Sequence, residues 1–178
     1  MVHIKVYIAT SLDGYIARED GSIDWLPRSD DIPEGEDFGF GEFLAGIDRL
    51  VMGRKTFESV LGFPEWPYGD LRVDVLSRTG IAVPSELGDR VQVVSATLGE
   101  LLHRWESQGV VSVYLDGGET IQGFLAAGLV DEMTITRVPV LLGKGRPLFG
   151  TMTDPVHWEH HRTDVLPMGM VRCRYARI

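Results

Sequence analysis

The sequence feature that most restricts the fold is an apolar run that ends in glycine and is followed at once by two cations and a hydroxyl. Residues 50–53 form the run, Arg54, Lys55 and Thr56 follow it, and a helix-compatible segment begins at Phe57. Such a strand-to-helix junction presents N–H groups and a positive helix end to an anion, and the side chains add charge-assisted bonds. The alternative is an ordinary turn with solvated cations, since short motifs also occur by chance.

Three further segments stand in a fixed order around this glycine box. They are residues 4–17 (IKVYIATSLDGYIA), 76–78 (LSR) and 114–120 (YLDGGET). Together the four segments resemble the dihydrofolate-reductase-like superfamily, in particular the branch that includes the riboflavin-pathway reductase domain and many small stand-alone reductases. The resemblance extends from Ile4 to about Phe149. It implies an oxidoreductase that uses NADPH on a small-molecule substrate and assembles as a homodimer.

Composition limits the classes of protein to which the chain can belong. A length of 178 residues predicts one domain, residues 1–178, and 44% hydrophobic with 24% charged residues is ordinary for a globular protein. The net charge of −9 argues against a nucleic-acid partner. No apolar run approaches the roughly 20 residues that span a bilayer, and the N-terminus does not resemble a signal peptide, so we expect a cytoplasmic protein.

Strands alternate with helices before the chain becomes rich in strands, which predicts an α/β fold. The expected strands are residues 3–9, 49–53, 72–77, 91–95, 110–116, 133–142, 158–166 and 170–178, and the expected helices are residues 36–46, 55–61, 97–108 and 119–127. Residues 11–35 are expected to form a long loop. This order predicts a mostly parallel central sheet with antiparallel C-terminal strands and flanking helices, which is the three-layer dihydrofolate-reductase-like fold.

A dinucleotide cofactor needs a site for its pyrophosphate, and a glycine pair supplies a candidate. Gly117 and Gly118 follow an apolar strand and begin a helix, so backbone without Cβ atoms can approach a phosphate there. The pair is not a Gly-x-Gly-x-x-Gly fingerprint, so a Rossmann domain is not indicated, and a tight turn that needs glycine is the alternative. Ser77 and Arg78, at the end of the strand expected beside that of Arg54, suit a ribose 2′-phosphate, which predicts NADPH over NADH.

The resemblance carries over to particular residues of this sequence. The cofactor-binding residues that it implies, on the nicotinamide side and on the phosphate side, are Ala9, Ile16, Gly53, Arg54, Lys55, Thr56, Leu76, Ser77, Arg78, Asp116, Gly117, Gly118, Glu119 and Thr120. For the substrate it implies Asp13, Trp25 and Phe57. An Asx turn is the alternative for Asp13, and an anchor for the long loop is the alternative for Trp25.

The catalytic carboxylate is predicted by counting back from Gly53 to the position where folate reductases hold the pterin. That position is Asp37, with Glu36 adjacent to it, and Asp13 and Asp24 are the rival candidates. A carboxylate in an apolar pocket would have a raised pKa and could relay a proton. The alternative for Asp37 is a helix N-terminus that collects acidic residues because of the helix dipole.

Three hypotheses about function remain open at this point. The first is reduction of a ribosylaminopyrimidine, most like the 5-amino-6-(5-phosphoribosylamino)uracil reductase of riboflavin biosynthesis. The second is reduction of a folate or another pterin. The third is an NADPH-binding module without catalysis. No metal site is expected, because the chain has one cysteine, Cys173, and because alternation along residues 157–161 separates the histidines between two faces.

Overall fold

All 178 residues are described by the computed structural model, apart from the side chain of Ser29, and they form ten strands and four α-helices. The strands are β1 (His3–Thr10), β2 (Tyr15–Ala17), β3 (Arg49–Gly53), β4 (Val73–Leu76), β5 (Val91–Val94), β6 (Ser112–Asp116), β7 (Glu132–Arg137), β8 (Arg146–Pro147), β9 (Trp158–Val165) and β10 (Val171–Arg177). The helices are α1 (Phe40–Ala45), α2 (Arg54–Val60), α3 (Leu98–Ser107) and α4 (Gly118–Ala126).

Eight of these strands form one sheet in the order β5-β4-β3-β6-β1-β7-β10-β9, and β2 pairs with β8 in a separate two-stranded sheet. The six strands from β5 to β7 run parallel. The last two are antiparallel, since β10 pairs antiparallel with β7 and β9 with β10. The predicted α/β class, with a mostly parallel sheet and antiparallel C-terminal strands, is confirmed.

Strand β6 lies between β3 and β1, and its register sets which residues stand side by side. Tyr114 is opposite Leu50 and Asp116 is opposite Met52 on β3. Both faces of β6 are covered, and Val113, Tyr114 and Leu115 are buried, as expected for a parallel strand with helices on both sides. Because the six parallel strands share a direction, their C-terminal ends meet along one edge.

Each face of the sheet packs against one pair of helices. On the first face, α3 and α4 contribute Leu101, Trp105, Ile121 and Phe124 to a core that also contains Val51. Trp105 and Phe124 stack with ring centroids 6.1 Å apart. The Thr97 hydroxyl and the Glu100 carboxylate form a reciprocal capping box at the start of α3.

On the second face, α1 and α2 cover a core that is rich in aromatic side chains, among them Phe57, Tyr68 and Tyr114. The layers are therefore helices, sheet and helices, as expected. Among the described residues, no helix has the length and apolar composition needed to cross a membrane.

Helix α1 is shorter than predicted, because the backbone immediately before it is left-handed. Phe38 has φ of 55° and Gly39 has φ of 76°, and a right-handed helix cannot pass through such residues. The helix expected over residues 36–46 therefore forms only at Phe40–Ala45.

Two other expected boundaries also differ. The strand expected over residues 133–142 ends at Arg137, and the following segment forms a loop whose Leu142 and Gly143 N–H groups donate to Asp13. The expected long loop over residues 11–35 contains a short strand, Tyr15–Ala17, which pairs with Arg146–Pro147. The contact of residues far apart in sequence explains both differences.

A buried ion pair lies near the N-terminal ends of β3 and β4. Arg49 Nη1 donates to Asp74 Oδ1 at 3.2 Å, and the side chains are 7% and 0% exposed. Trp105 Nε1 donates to the other carboxylate oxygen at 2.8 Å, and Arg49 Nη2 donates to Gln108 Oε1 at 3.1 Å. These bonds join β3 and β4 to α3, so loss of either charge leaves its partner buried without compensation.

We predict that Asp74→Asn lowers the free energy of unfolding by about 3–5 kcal/mol, since it leaves the Arg49 charge unpaired in the interior. Urea unfolding followed by tryptophan fluorescence measures the loss. Lys144→Ala is the control, because it removes a pair with Glu19 whose side chains are 78% and 62% exposed and should leave stability unchanged within error. Equal effects of the two variants would contradict a structural role for the buried pair.

Candidate cofactor and substrate site

The predicted site residues meet at the C-terminal edge of the parallel strands. Gly53 ends β3, Leu76 ends β4, Asp116 ends β6, and Ala9 lies one residue before the end of β1. Strands β4, β3, β6 and β1 are consecutive neighbours in the sheet. Each of the four sequence segments that carried the resemblance contains one of these positions, and the segment of residues 4–17 continues from β1 into the loop beside them.

The two glycine turns of this edge interlock. Gly117, between β6 and α4, has φ of 86°, and a Cβ atom there would overlap the Thr56 hydroxyl of α2. Conversely, a Cβ atom on Gly53 would lie 3.3 Å from the Thr120 hydroxyl of α4. The Gly117 turn therefore needs a glycine because Thr56 packs against it, whereas a side chain at Gly53 would fit tightly against Thr120. Both contacts agree with the pairing of β3 and β6.

The cations predicted to hold phosphate lie next to these turns. Arg54 Nη1 donates to the Thr79 hydroxyl at 3.0 Å, and the Ser77 hydroxyl donates to the Thr79 carbonyl at 2.7 Å. Arg54, Ser77 and Thr79 are therefore joined across the ends of β3 and β4. Arg78 lies between Ser77 and Thr79, and its side chain is exposed.

Acidic partners neutralise two of the cations locally. Arg54 Nε pairs with Glu58 at 2.7 Å, and Lys55 Nζ pairs with Glu119 at 2.9 Å. All four side chains are roughly half exposed or more, so these pairs contribute little to stability and exchange partners readily. The second pair joins the starts of α2 and α4.

Beside the glycine turns lies a carboxylate that is largely withdrawn from water. The Tyr68 hydroxyl donates to Asp116 Oδ2 at 2.8 Å, and the Gly117 N–H donates to Oδ1 at 2.8 Å. Burial raises the pKa of Asp116 above its ordinary value, while the hydrogen bonds from Tyr68 and Gly117 oppose that rise. The residue as a whole is nevertheless partly exposed.

A cluster of aromatic rings lies around Tyr68, the donor to this carboxylate, on the α1 and α2 face. Trp66 contacts Tyr68 with centroids 5.2 Å apart and Phe57 at 6.2 Å. Phe40 contacts Tyr68 at 6.4 Å and Tyr114 at 6.3 Å. These edge-to-face contacts fix the orientation of the Tyr68 ring.

Asp37 is not brought to this carboxylate or to an apolar pocket. It is exposed, and its two oxygens accept the N–H groups of Gly41 and Gly39 just before α1. These bonds hold the pKa of Asp37 below its ordinary value. The geometry is that of the helix-start alternative, and it does not favour the predicted proton relay, for which the pKa would have to rise.

Asp13 joins two loops. Its carboxylate accepts the Ser11 hydroxyl at 2.6 Å and the N–H groups of Gly143 at 2.7 Å and Leu142 at 3.2 Å. The bond from Ser11, followed by those from Gly143 and Leu142, holds the pKa of Asp13 below its ordinary value although partial desolvation raises it. Asp13 thus holds residues 142–143 to the start of the loop after β1.

The remaining predicted residues lie in different surroundings. Ile16 lies against Gly118 at the start of α4, where a Cβ atom on the glycine would stand 2.8 Å from Ile16 Cδ1. Phe57 is fully buried beneath Trp66. Trp25 is partly buried, and its indole N–H has no partner among the described residues. The roles predicted for these residues stay predictions.

Sequence reasoning did not single out Tyr68, Tyr7 or Arg172. Arg172 of β10 donates to the Tyr7 hydroxyl at 3.1 Å and to the Phe38 carbonyl at 2.5 Å, and it pairs with Asp164 at 3.1 Å. This network holds the left-handed turn before α1 against the sheet. No local pattern could reveal it, since Arg172 and Phe38 are separated by 134 positions.

We predict that Gly117→Ala lowers the free energy of unfolding by about 3 kcal/mol or more, because the new Cβ atom adds steric overlap with Thr56 to the strain of a positive φ. Gly109→Ala is the matched control, since Gly109 has φ of 71° and open space around its Cβ position, and it should cost about 1–2 kcal/mol. Urea unfolding of both variants separates the two contributions. If Thr56→Ala does not reduce the cost of Gly117→Ala in a double-mutant cycle, the interlock is refuted.

We also predict that Asp13→Ala speeds hydrogen exchange at the Leu142 and Gly143 amides, which lose their acceptor. Mass spectrometry of the peptides covering this loop measures the change. Asp20→Ala is the control, because Asp20 accepts only the nearby Ser22 N–H and should leave residues 142–143 unaffected. Unchanged protection in Asp13→Ala would show that the loop is held by other contacts.

Comparison with known proteins identifies relatives of this chain. The sequence profile of the RibD C-terminal domain family matches residues 70–171. YwjB, an uncharacterized protein of Bacillus subtilis, is 36% identical over 152 residues, which cover 84% of this chain and 83% of YwjB. The riboflavin biosynthesis protein RibD of Corynebacterium ammoniagenes is 25% identical over 157 residues, which cover 80% of this chain but 44% of that protein.

A solved structure agrees over the full length. It is the crystal structure of a Shewanella sp. PV-4 protein that is assigned provisionally to riboflavin biosynthesis, and it has a TM-score of 0.90 at 40% identity, with 99% of both chains covered. The resemblance drawn from the four sequence segments is confirmed. This chain belongs to the RibD C-terminal domain family.

Proposed function

We propose that this protein is an NADPH-dependent reductase that transfers a hydride to a pyrimidine or pterin-like ring, with residues 1–178 acting as one reductase domain. The observation that carries the proposal is the interlock of the turns at Gly53 and Gly117. It sets a Cβ-free backbone, a group of cations and a half-buried carboxylate side by side at one edge of the sheet.

The residues at this edge fit a dinucleotide with a 2′-phosphate. Gly117 and Gly118 present backbone without Cβ atoms at the start of the nine-residue helix α4, which suits a pyrophosphate. Arg54, Ser77 and Arg78 supply guanidinium and hydroxyl groups for a phosphate dianion. When bound, NADPH would supply the hydride, and Ala9 and Ile16 would face its nicotinamide.

Asp116 supports a ring-shaped substrate. The sequence placed this residue with the cofactor group, but its side chain is held by Tyr68 among aromatic rings. We assign it to the substrate ring, whose N–H donors a carboxylate would accept. The resemblance to folate reductases assigned ring binding to Asp37. That role has no comparable support, because both Asp37 oxygens cap the start of α1.

Among ring substrates, the proposal favours a pyrimidine of the riboflavin pathway, most like the substrate of 5-amino-6-(5-phosphoribosylamino)uracil reductase. Membership of the RibD C-terminal domain family supports this choice. Reduction of a folate or pterin is the second candidate, and both share the cofactor site. The homodimer that the resemblance implies is part of the same proposal.

We predict that the purified protein binds NADPH more tightly than NADH and that Arg78→Ala weakens NADPH binding about 10- to 100-fold. Loss of one arginine removes charge-assisted bonds of about 1.5–3 kcal/mol to the 2′-phosphate, whereas NADH binding should hardly change. Titration with each nucleotide, followed by nicotinamide and tryptophan fluorescence, measures both affinities.

Arg72→Ala is the matched control for this experiment. Arg72 is an exposed arginine just before β4, whereas Arg78 follows the other end of the same strand. Its removal changes the net charge equally without touching the site. No binding of either nucleotide would refute the proposed function, and equal weakening by both variants would refute the phosphate site. If NADPH binds, an assay of hydride transfer to a pyrimidine or pterin distinguishes an enzyme from a non-catalytic binding module.

A further inference from the structure

The function proposed above leaves one buried hydroxyl without a role. Tyr68 lies in the segment between α2 and β4, and 6% of its surface is exposed. A buried tyrosine hydroxyl needs a hydrogen-bond partner. That of Tyr68 donates to the Asp116 carboxylate, 48 positions away in the sequence, whereas the hydroxyls of Tyr7 and Tyr114 donate to backbone carbonyls.

The position of the Tyr68 ring is fixed by its neighbours. Trp66 packs edge-on against it with centroids 5.2 Å apart, and Phe40 of α1 does so at 6.4 Å. The ring is therefore held between the loop that carries it and the helix on the same face of the sheet. Because the ring cannot swing away, its hydroxyl is a fixed donor to Asp116.

The donor restricts the carboxylate in turn. An ionised carboxylate has about four acceptor sites, and Tyr68 and the Gly117 N–H each use one, on different oxygens. Two bonds on opposite oxygens fix the plane of the carboxylate. About two acceptor sites remain, and they belong to a residue that is partly exposed at the edge where the glycine turns meet.

We propose that Tyr68 is a positioning residue of the substrate site, which orients the Asp116 carboxylate so that its remaining acceptor sites receive the N–H donors of the ring to be reduced. The inference rests on the proposed reductase function for the identity of the ring. It does not depend on which phosphate groups the cofactor carries.

The hydrogen bond also controls the ionisation of Asp116. Burial raises the pKa of this carboxyl, and the Tyr68 hydroxyl opposes that rise, so removal of the hydroxyl must raise the pKa of Asp116 further. Tyr114 of β6 is also close enough to interact electrostatically with Asp116, but its hydroxyl donates to the Tyr7 carbonyl.

The test is the titration of Asp116 itself, followed by NMR of protein labelled with ¹³C at aspartate carboxyls and assigned with Asp116→Asn. We expect the titration midpoint to rise by about one pH unit in Tyr68→Phe, the shift that corresponds to one hydrogen bond to a charged group. Tyr114→Phe is the matched control. It removes from the same aromatic cluster a hydroxyl that donates to the Tyr7 carbonyl instead of to Asp116, so the Asp116 midpoint should stay at the wild-type value. Equal midpoints in all three proteins would overturn the proposal.

A second variant keeps the test decisive if Tyr68→Phe does not fold. Fluorinated tyrosine incorporated at position 68 is a stronger donor of the same shape, and it should lower the Asp116 midpoint. A shift in the opposite direction, or none, would overturn the proposal.

The positioning role is tested with two ring probes, pterin and 5,6-diaminouracil, titrated into the protein with NADPH present. At neutral pH, Tyr68→Phe should weaken binding of at least one probe about tenfold, and the pH midpoint of binding should move with that of Asp116. NADPH affinity, measured in the same samples, should not change. Probe binding that ignores Tyr68→Phe would overturn the positioning role, whereas failure of wild-type protein to bind NADPH would refute the proposed function and leave the Asp116 titration to be judged by itself.

Discussion

The contact between the Gly117 turn and the Thr56 side chain is the constraint on which the rest of the edge depends. It requires a positive φ at position 117 and the absence of a Cβ atom there. The turn in that conformation allows the Gly117 N–H to bond the Asp116 carboxylate while α4 begins at the next residue. One steric relation between adjacent strand ends therefore positions the backbone that we propose as a phosphate site and the carboxylate beside it.

The two faces of the sheet satisfy their buried polar groups in different ways. The α3 and α4 face is an apolar core in which Trp105 stacks on Phe124, and its buried Arg49–Asp74 pair is satisfied by Trp105 and Gln108. The α1 and α2 face contains tyrosines whose hydroxyls must find acceptors in the interior. Carbonyls satisfy two of them, whereas Tyr68 is satisfied by a carboxylate. The Asp116 carboxylate is tolerated on this face because it is hydrogen-bonded, and under the proposed function it would accept the donors of a ring substrate.

The parts of the fold that local sequence patterns determine were predicted correctly. Strand periodicity and the glycines at positions 53 and 117 placed the parallel strands and their turns correctly, because a strand-to-helix junction is a local structure. The carboxylate that we propose for the substrate ring was harder to assign, since its surroundings come from Tyr68, far along the chain. Counting back from Gly53 led instead to Asp37, and nothing in the local sequence shows that Phe38 would be left-handed and held by Arg172.

If an acidic protein is to bind a polyanion, its own carboxylates compete with the ligand for its cations. Here Arg54 and Lys55 are paired with Glu58 and Glu119 at the protein surface. Exposed pairs of this kind contribute at most about 1 kcal/mol, so a phosphate can replace the carboxylates at little cost. Arg78 extends from the end of β4 into solvent without such a pair among the described residues. Under the proposed function its charge is therefore available to a 2′-phosphate, which is why selectivity between the two nicotinamide cofactors should depend on this side chain more than on its neighbours.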